Sequence, residues 1–309
     1  MTILRRYVEL DGRRISCLTA GDPSSATTLL LIHGSGVSAG YWVNQLLGLR
    51  DAFRVMAIDL PGHGKSDPIP NASVETYADT VGKFLTNVIA RPVIVVGHSL
   101  GGAVAMALAA KRRDVVRGLV LLASCAKLPK VESPGERLLA FLPGPLRRIL
   151  FFSMAQKLLF APGVPMGAVS IGMQELRSCP PETILTDVQA ARAMDLSEQA
   201  TAIDAPTLVL CGSRDRLTPP ELSEQLRALI PRARLGILEG AGHMLLLEVP
   251  ERVNEAIRDF ATTLTVEIRS SVLARQLRGV SLIRRLLDWT WSKPPKTTGG
   301  SLKALARHE

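Results

Sequence analysis

The stretch Gly97-His98-Ser99-Leu100-Gly101-Gly102 decides how the rest of the chain is interpreted. It joins an apolar run at 92–98, which has the pattern of a buried strand, to an alanine-rich helix pattern at 100–111. A serine with glycine two residues before and two residues after it fits a tight strand-to-helix turn without side-chain clashes. Such a turn exposes the hydroxyl at a helix N-terminus, which favours developing negative charge. We therefore predict that Ser99 is a nucleophile; the alternative is a glycine-rich packing turn.

Short apolar runs separated by helix patterns indicate a parallel sheet. The runs are apolar on both faces, as strands covered by two layers of helices are. Helix patterns occur at 73–89 (with Ser73 as N-cap), 100–111, 220–230 and from about 250 to 262. The predicted strands are 28–33, 54–60, 92–98, 117–123, 207–211 and 235–238. The predicted fold class is therefore α/β.

The alternation of strands and helices stops between Cys125 and Ala205. The intervening segment is too long for an ordinary connection, and its short apolar groups, prolines and glycines indicate short helices. Because the strand pattern resumes afterwards, we interpret the segment as an insertion that folds over one end of the sheet as a cap. A separate domain is the weaker alternative.

Charge is distributed unevenly along the 309 residues, of which 37 are Lys or Arg and 28 are Asp or Glu, a net charge of +9. Residues 266–309 hold nine basic and three acidic residues, so they carry +6 and the remaining chain carries +3. The hydrophobic fraction of 47% is that of a globular protein. Aromatic residues make up 4%, too few for a nucleic-acid stacking platform, so no nucleic-acid partner is expected.

The basic C-terminal extension, residues 266–309, has two interpretations. An imperfect amphipathic helix pattern at 272–291, with arginines roughly opposite an apolar stripe, is typical of helices on anionic membranes. A helix that docks on the body or on a second subunit, as in a homodimer, has the same pattern. We expect a cytoplasmic protein, peripheral to the membrane if the extension binds lipid, because neither a signal peptide nor a long apolar span is evident.

A serine nucleophile needs a base, and the five histidines allow elimination. His98 is adjacent to the serine and would point away from it on a turn. His33 and His63 lie in glycine-rich turns, and His308 lies in the basic extension. His243 remains, in a glycine-rich loop after the last predicted strand, at the same sheet edge as the serine. We predict that His243 is the base.

The acid that orients this base is also expected after a strand. The strand at 207–211 continues into Gly212-Ser213-Arg214-Asp215-Arg216, which places Asp215 at the carboxyl edge of the sheet. Asp215 could instead be a turn residue or pair with a neighbouring arginine. The segment 124–126 after an earlier strand holds no carboxylate, so Asp215 is the predicted acid.

A tetrahedral intermediate needs two backbone N–H donors. One is expected at Leu100, directly after the nucleophile. The second is expected in the loop His33-Gly34-Ser35-Gly36, whose glycines let the backbone approach a substrate closely. We choose the N–H of Ser35, with Gly34 and Gly36 as alternatives.

Five motifs occur in order, and with them the chain resembles the α/β-hydrolase fold superfamily over about residues 3–263. They are His33-Gly34, the 59–66 segment Asp-Leu-Pro-Gly-His-Gly-Lys-Ser, the Ser99 turn, Gly212-Ser213-Arg214-Asp215 and Gly242-His243. The resemblance implies a mostly parallel eight-stranded sheet with a helical cap inserted after strand six, and a structural role for the 59–66 turn. It divides the chain into a core at 1–127 and 204–265, a cap at 128–203 and the extension at 266–309.

Within this superfamily the residues around Ser99 narrow the chemistry. Serine at this position separates the chain from haloalkane dehalogenases and epoxide hydrolases, which carry aspartate. His98 differs from the asparagine common in carbon–carbon bond hydrolases, and a His-Ser-Leu turn is similar to carboxylesterases and monoacylglycerol lipases. We predict hydrolysis of a small carboxylic ester through an acyl-enzyme, with no metal or organic cofactor. Carbon–carbon hydrolysis, lactone hydrolysis and acyl transfer use the same triad and stay open, whereas a non-catalytic binding protein would show a damaged triad.

The cap is the predicted specificity element. Its apolar side chains and few charges suggest an uncharged acyl group of short to medium length, although each of these side chains could pack on the core instead. The candidate pocket residues are His98, Phe141, Phe151, Phe152 and Met244, and the other apolar cap residues considered are Leu138, Leu139, Leu142, Ile149 and Leu150.

Overall fold

The computed structural model describes residues 2–129, 144–267 and 270. The chain forms two units, residues 1–264 and residues 265–309, and every contact discussed below lies within the first. The pocket candidate Phe141, the cap residues Leu138, Leu139 and Leu142, and the helix predicted at 272–291 fall outside the described residues.

The architecture is an eight-stranded sheet with helices packed against it, which confirms the predicted α/β fold. The strand order is β1-β2-β4-β3-β5-β6-β7-β8. β1 and β2 pair antiparallel, as do β2 and β4, and the other neighbours pair parallel. The strands are β1 Leu4–Leu10, β2 Arg13–Ala20, β3 Thr28–Ile32, β4 Arg54–Ile58, β5 Val93–His98, β6 Val116–Leu122, β7 Thr207–Gly212 and β8 Ala233–Leu238.

The central strands are buried on both faces because helices cover both. All residues of β3 and β5 are buried, as their continuous apolar runs predict. β1 differs, since most of its residues are exposed and it carries no apolar run. The strands predicted from apolar runs therefore do not include the β1–β2 hairpin.

The helices follow the strands in the expected alternation. The N-terminus of α2 is closed by the predicted cap Ser73, whose side chain accepts the Thr76 N–H while the Thr76 hydroxyl accepts the Ser73 N–H. The core helices are α1 Val43–Leu49, α2 Val74–Phe84, α3 Leu100–Lys111, α8 Pro220–Leu229, α9 Leu245–Glu248 and α10 at residues 250–267. A 3₁₀ turn at Ala39–Trp42 precedes α1, and a π turn at Leu85–Ile89 continues α2.

Four helices are inserted between β6 and β7: α4 Gly144–Leu159, α5 Met166–Ser178, α6 Pro181–Ala193 and α7 Ser197–Thr201. The residues on either side of α4 to α6 meet in an antiparallel bridge between Lys127 and Asp195, and α7 follows this bridge. The Lys127 ammonium also lies 2.6 Å from the Asp195 carboxylate. The chain therefore leaves the core after β6 and returns to it beside the same point, before α7. Among the described residues, no helix has the length and apolarity needed to cross a bilayer.

Candidate active site

The turn at Ser99 has the geometry expected of a strained strand-to-helix junction. Ser99 lies between the end of β5 and the start of α3, with φ 52° and ψ −120°, a region that residues other than glycine rarely adopt. A β-carbon at Gly97 would lie 2.3 Å from the Gly101 carbonyl oxygen, and one at Gly101 would lie 2.3 Å from the Ile32 carbonyl oxygen. The two glycines are therefore required by close backbone packing, which holds Ser99 in this conformation.

Asp215 and His243 are brought together from the loops after β7 and β8. His243 Nδ1 lies 2.9 Å from Asp215 Oδ2, and both side chains are buried. The other carboxylate oxygen accepts the N–H groups of Leu217 at 2.8 Å and Thr218 at 2.9 Å. Burial raises the pKa of Asp215, but the charge and hydrogen bond of His243, with the bonds from Thr218, outweigh it and lower the pKa. Asp215 thus presents an ionised carboxylate to the imidazole.

His98 fixes the back of the His243 loop. Its Nε2 lies 3.0 Å from the His243 carbonyl oxygen, and the two rings are 5.0 Å apart. Burial, followed by the charge of His243, lowers the pKa of His98 to about 3, so the ring is neutral and Nε2–H is the donor. Because His98 precedes Ser99, this bond ties the nucleophile turn directly to the His243 loop.

Two of the other histidines make structural bonds elsewhere. His33 Nε2 accepts the Leu60 N–H at 2.9 Å, which leaves Nδ1 to donate to the Gly34 carbonyl at 2.8 Å. Burial lowers the pKa of His33 to about 4. His63 Nε2 contacts Asp187 at 2.9 Å. Of the histidines that the structure describes, His243 is the one that pairs with Asp215, and its role as the base stays a prediction.

The loop after β3 lies against the Ser99 turn. A β-carbon at Gly34 would lie 3.1 Å from Ser99 Cβ and 3.0 Å from His98 Nδ1, which is closer than ordinary van der Waals contact. The absence of a side chain at Gly34 therefore lets this backbone lie against the serine. Leu100 is the first residue of α3, where an N–H has no acceptor within the helix. The loop of Ser35 and the N-terminus of α3 therefore both adjoin Ser99.

The His243 loop is also held by a buried carboxylate that the sequence did not single out. Glu248 Oε2 accepts the Gly242 N–H at 2.8 Å and the Ala161 N–H at 3.4 Å. Burial raises the pKa of Glu248 despite these bonds. Glu248 therefore joins the loop of His243 to the chain that follows α4.

The pocket candidates occupy different environments. Phe151 is exposed on α4, and Phe152 is partly buried beneath the Arg177 guanidinium, 5.4 Å from its ring centre. Met244 is buried, and its sulfur accepts the Tyr41 hydroxyl at 2.8 Å. His98 is buried behind His243, as described above. Their contacts with a substrate stay predictions.

Two further positioning groups were missed from the sequence. Thr218 donates its hydroxyl to Asp215 Oδ2 at 2.8 Å and lies 3.2 Å from His243 Nδ1. Ser124 donates its hydroxyl to the Ser99 carbonyl at 2.9 Å. The first had a local signal, because an aspartate often bonds the backbone two and three residues ahead, and here a threonine occupies the third position. The second had none, since it depends on the pairing of β5 with β6.

The arrangement contains the parts of nucleophilic acyl transfer: a strained serine at a helix N-terminus, an imidazole paired with a buried carboxylate, and a glycine-rich loop against the serine. In the described ranges, no group of three or more His, Cys, Asp or Glu side chains could hold a metal ion.

Comparison with known proteins agrees with the fold. Residues 29–256 match the model of the alpha/beta hydrolase family. The chain is 32% identical over 248 residues to the pimeloyl-(acyl-carrier protein) methyl ester esterase of Neisseria meningitidis serogroup C, covering 77% of this chain and 94% of that protein. It is 32% identical to the esterase of the same name from Methylococcus capsulatus, covering 75% and 93%. The solved structure of a thermophilic esterase superimposes with a TM-score of 0.73 at 30% identity, covering 85% of this chain and 99% of that one.

Proposed function

The chain belongs to the alpha/beta hydrolase family and is an ester hydrolase, and from this premise we propose that it cleaves carboxylic esters with Ser99, His243 and Asp215 through an acyl-enzyme. The observation that carries the assignment is the buried 2.9 Å bond between His243 Nδ1 and Asp215 Oδ2. Because Nδ1 donates to the carboxylate, the lone pair of Nε2 is free to act as a base.

In the proposed reaction, Ser99 Oγ attacks the ester carbonyl and His243 Nε2 takes the hydroxyl proton. The resulting imidazolium is stabilised by the ionised Asp215, and the backbone N–H groups of Leu100 and Ser35 bind the oxyanion. The tetrahedral intermediate collapses, the C–O bond to the alcohol breaks, and the alcohol leaves with the proton from His243. Water, deprotonated by the same imidazole, then hydrolyses the acyl-enzyme.

We propose an uncharged acyl chain of short to medium length. Apolar cap side chains beside the oxyanion loop support this choice: a β-carbon at Gly36 would lie 2.6 Å from Leu176 Cδ1 and 3.6 Å from Ile184 Cγ1. An acyl chain there would contact hydrocarbon and would leave a charge unpaired. Since both similar esterases are named for a methyl ester, methyl esters belong in the test panel with p-nitrophenyl esters.

The test measures kcat/KM for both series, with acyl chains of two to twelve carbons and with charged acyl groups, on wild type and Ser99→Ala. We expect turnover of the uncharged members and loss of at least about 10⁴-fold in Ser99→Ala. Ser178→Ala, on the exposed end of α5, is the matched serine control and should retain wild-type activity. A fluorophosphonate that labels the wild type at Ser99 and leaves Ser99→Ala unlabelled supports the nucleophile; labelling elsewhere contradicts it.

A further inference from the structure

Glu248 is a buried carboxylate that lies shortly after His243 in the chain. The short helix α9 begins directly after Met244, and its last residue is Glu248. This turn brings the carboxylate back over the loop that precedes it, where Oε2 accepts the Gly242 N–H at 2.8 Å. The bonded N–H belongs to the residue immediately before the predicted base. The carboxylate therefore holds the backbone from which the imidazole extends.

The same carboxylate oxygen also binds the cap. Glu248 Oε2 accepts the Ala161 N–H at 3.4 Å, just beyond the end of α4. The Met244 N–H donates to the Leu159 carbonyl at 3.1 Å, so the loop and the cap are joined at two points. A β-carbon at Gly242 would lie 2.6 Å from the Ala161 nitrogen, which leaves no room for a side chain between them. The end of α4 and this loop are thus packed backbone against backbone.

Burying this carboxylate has a cost. Glu248 Oε1 is buried and accepts no hydrogen bond from any described residue. Burial, and to a smaller extent the charge of Asp215, raises the pKa of Glu248. An amide oxygen could accept the same two N–H groups without the cost of burying a charge. The two bonds therefore depend on where the acceptor lies, and substitutions can separate its position from its charge.

We propose that Glu248 is a positioning residue that orients the imidazole of His243 by holding the Gly242 backbone against the end of α4. This role rests on the proposed function, in which His243 is the base. A displaced imidazole impairs proton transfer in the transition state more than it weakens the binding of an ester in the ground state. Loss of the bond should therefore lower kcat and leave KM nearly unchanged. Glu248 acts through the loop and takes no part in the proton transfers.

The first test separates the position of the acceptor from its charge, with a short-chain p-nitrophenyl ester as substrate. Glu248→Gln keeps an acceptor oxygen at the same reach and removes the charge, whereas Glu248→Asp keeps the charge and shortens the side chain by one methylene. Glu248→Leu removes both the acceptor and the charge. We expect Glu248→Gln to stay within about threefold of wild type in kcat. The other two variants should lose about 10- to 100-fold in kcat, with KM within about threefold.

Gln45→Leu is the matched control for the loss of a buried polar group beside α9. Gln45 is buried on α1, and its Nε2 donates to the Leu246 carbonyl of α9 at 3.2 Å. Its side chain has the length of Glu248 and bonds the same helix, but in the described bonds it does not reach the His243 loop. Gln45→Leu should therefore lower the unfolding temperature and leave kcat unchanged.

The position of the imidazole supplies a second readout that does not depend on turnover. The proton that His243 Nδ1 donates to Asp215 is strongly hydrogen-bonded, so it should give a downfield NMR signal that Asp215→Asn removes. The signal should be the same in wild type, Glu248→Gln and Gln45→Leu, and it should shift or broaden in Glu248→Asp and Glu248→Leu. If Glu248→Leu does not fold, Glu248→Asp against Glu248→Gln still decides the question.

The outcomes separate the role of Glu248 from the proposed function. A wild type without Ser99-dependent ester hydrolysis would overturn the proposed function. An active wild type with folded Glu248→Asp or Glu248→Leu within about twofold in kcat would overturn only the role of Glu248. A Glu248→Gln loss as large as that of Glu248→Leu would also overturn it, because the charge would then matter more than the position of the acceptor. An equal loss in Gln45→Leu would do the same, since any weakening of α9 would then lower kcat.

Discussion

Replacing Asp215 by asparagine tests whether Asp215 is the acid that orients His243, because it changes one atom of the side chain from oxygen to nitrogen. Asparagine keeps the shape of the side chain, and its amide oxygen should remain on the N–H groups of Leu217 and Thr218, now 2.8 and 2.9 Å from Oδ1. An NH₂ group in that place would leave both donors without an acceptor. The amide nitrogen is therefore directed at His243 Nδ1, where Oδ2 now accepts at 2.9 Å.

The expected loss follows from the tautomer. With a donor at Nδ1, the imidazole carries its proton on Nε2 and cannot take the proton of Ser99. The same change in another serine hydrolase costs about 10⁴-fold, or about 5 kcal/mol in the barrier. Here Thr218 Oγ1 lies 3.2 Å from His243 Nδ1 and can accept its proton, which restores part of the productive tautomer. We therefore expect about 10³-fold for Asp215→Asn and about 10⁴-fold for Asp215→Asn with Thr218→Val.

The assay is kcat and KM on a short-chain p-nitrophenyl ester, with Ser99→Ala as the floor and Thr218→Val alone as the control. Thr218→Val removes one hydrogen bond to a carboxylate and should cost about tenfold or less. If Asp215→Asn stayed within tenfold of wild type in kcat, Asp215 would not orient the base. If the double variant were no worse than Asp215→Asn, the compensation by Thr218 would be wrong.

Three further outcomes are expected. Gly34→Ala places a methyl group about 3.1 Å from Ser99 Cβ, so kcat should fall at least about tenfold with normal folding by circular dichroism, and an unchanged kcat would contradict the packing. Acid should destabilise the protein, because the pKa values of buried His33 and His98 are lowered to about 4 and about 3. The contribution of these two histidines to the free energy of unfolding is complete above their unfolded pKa of about 6.5 and is lost as the pH falls towards the folded values. The expected loss is roughly 4 kcal/mol at pH 5. An unfolding temperature that stays constant from pH 7.5 to 5 would refute this. Ser73→Ala removes the N-cap side chain of α2, so it should lower the free energy of unfolding in urea by about 1 kcal/mol and leave kcat unchanged.

The sequence predicted the central part of the fold because its signal there is local. Strands buried on both faces must be continuously apolar, so β3 to β7 could be recognised from short runs. β1 is mostly exposed and has no such run, and the hairpin signal that would have found it is the pair Asp11-Gly12, both with positive φ. This two-residue turn favours a hairpin with the right-handed twist of its strands.

Chain order and strand ends were enough to predict the loops of Ser99, Asp215 and His243, because the carboxyl ends of parallel strands share one edge of the sheet. Local patterns could not predict Ser124, Glu248 or His98 as supports, since each bonds to backbone that is distant in the chain. His98 was expected to face away from the serine, and its bond to the His243 carbonyl became evident only from the packing of two loops.

By itself, therefore, the sequence determined the α/β alternation, and it predicted a nucleophile at the Ser99 turn and an inserted cap. These signals are short-range, because they consist of glycine spacing, apolar runs and interruptions of the strand–helix alternation. Only the tertiary structure decided that α6 places the Asp187 carboxylate 2.9 Å from the Tyr77 hydroxyl, 110 positions earlier in the chain. A hydrogen bond has no sequence period, and its partners are set by how the cap packs on the core. The bonds from the Ser38 N–H and hydroxyl to the Glu175 carboxylate on α5 are of this kind.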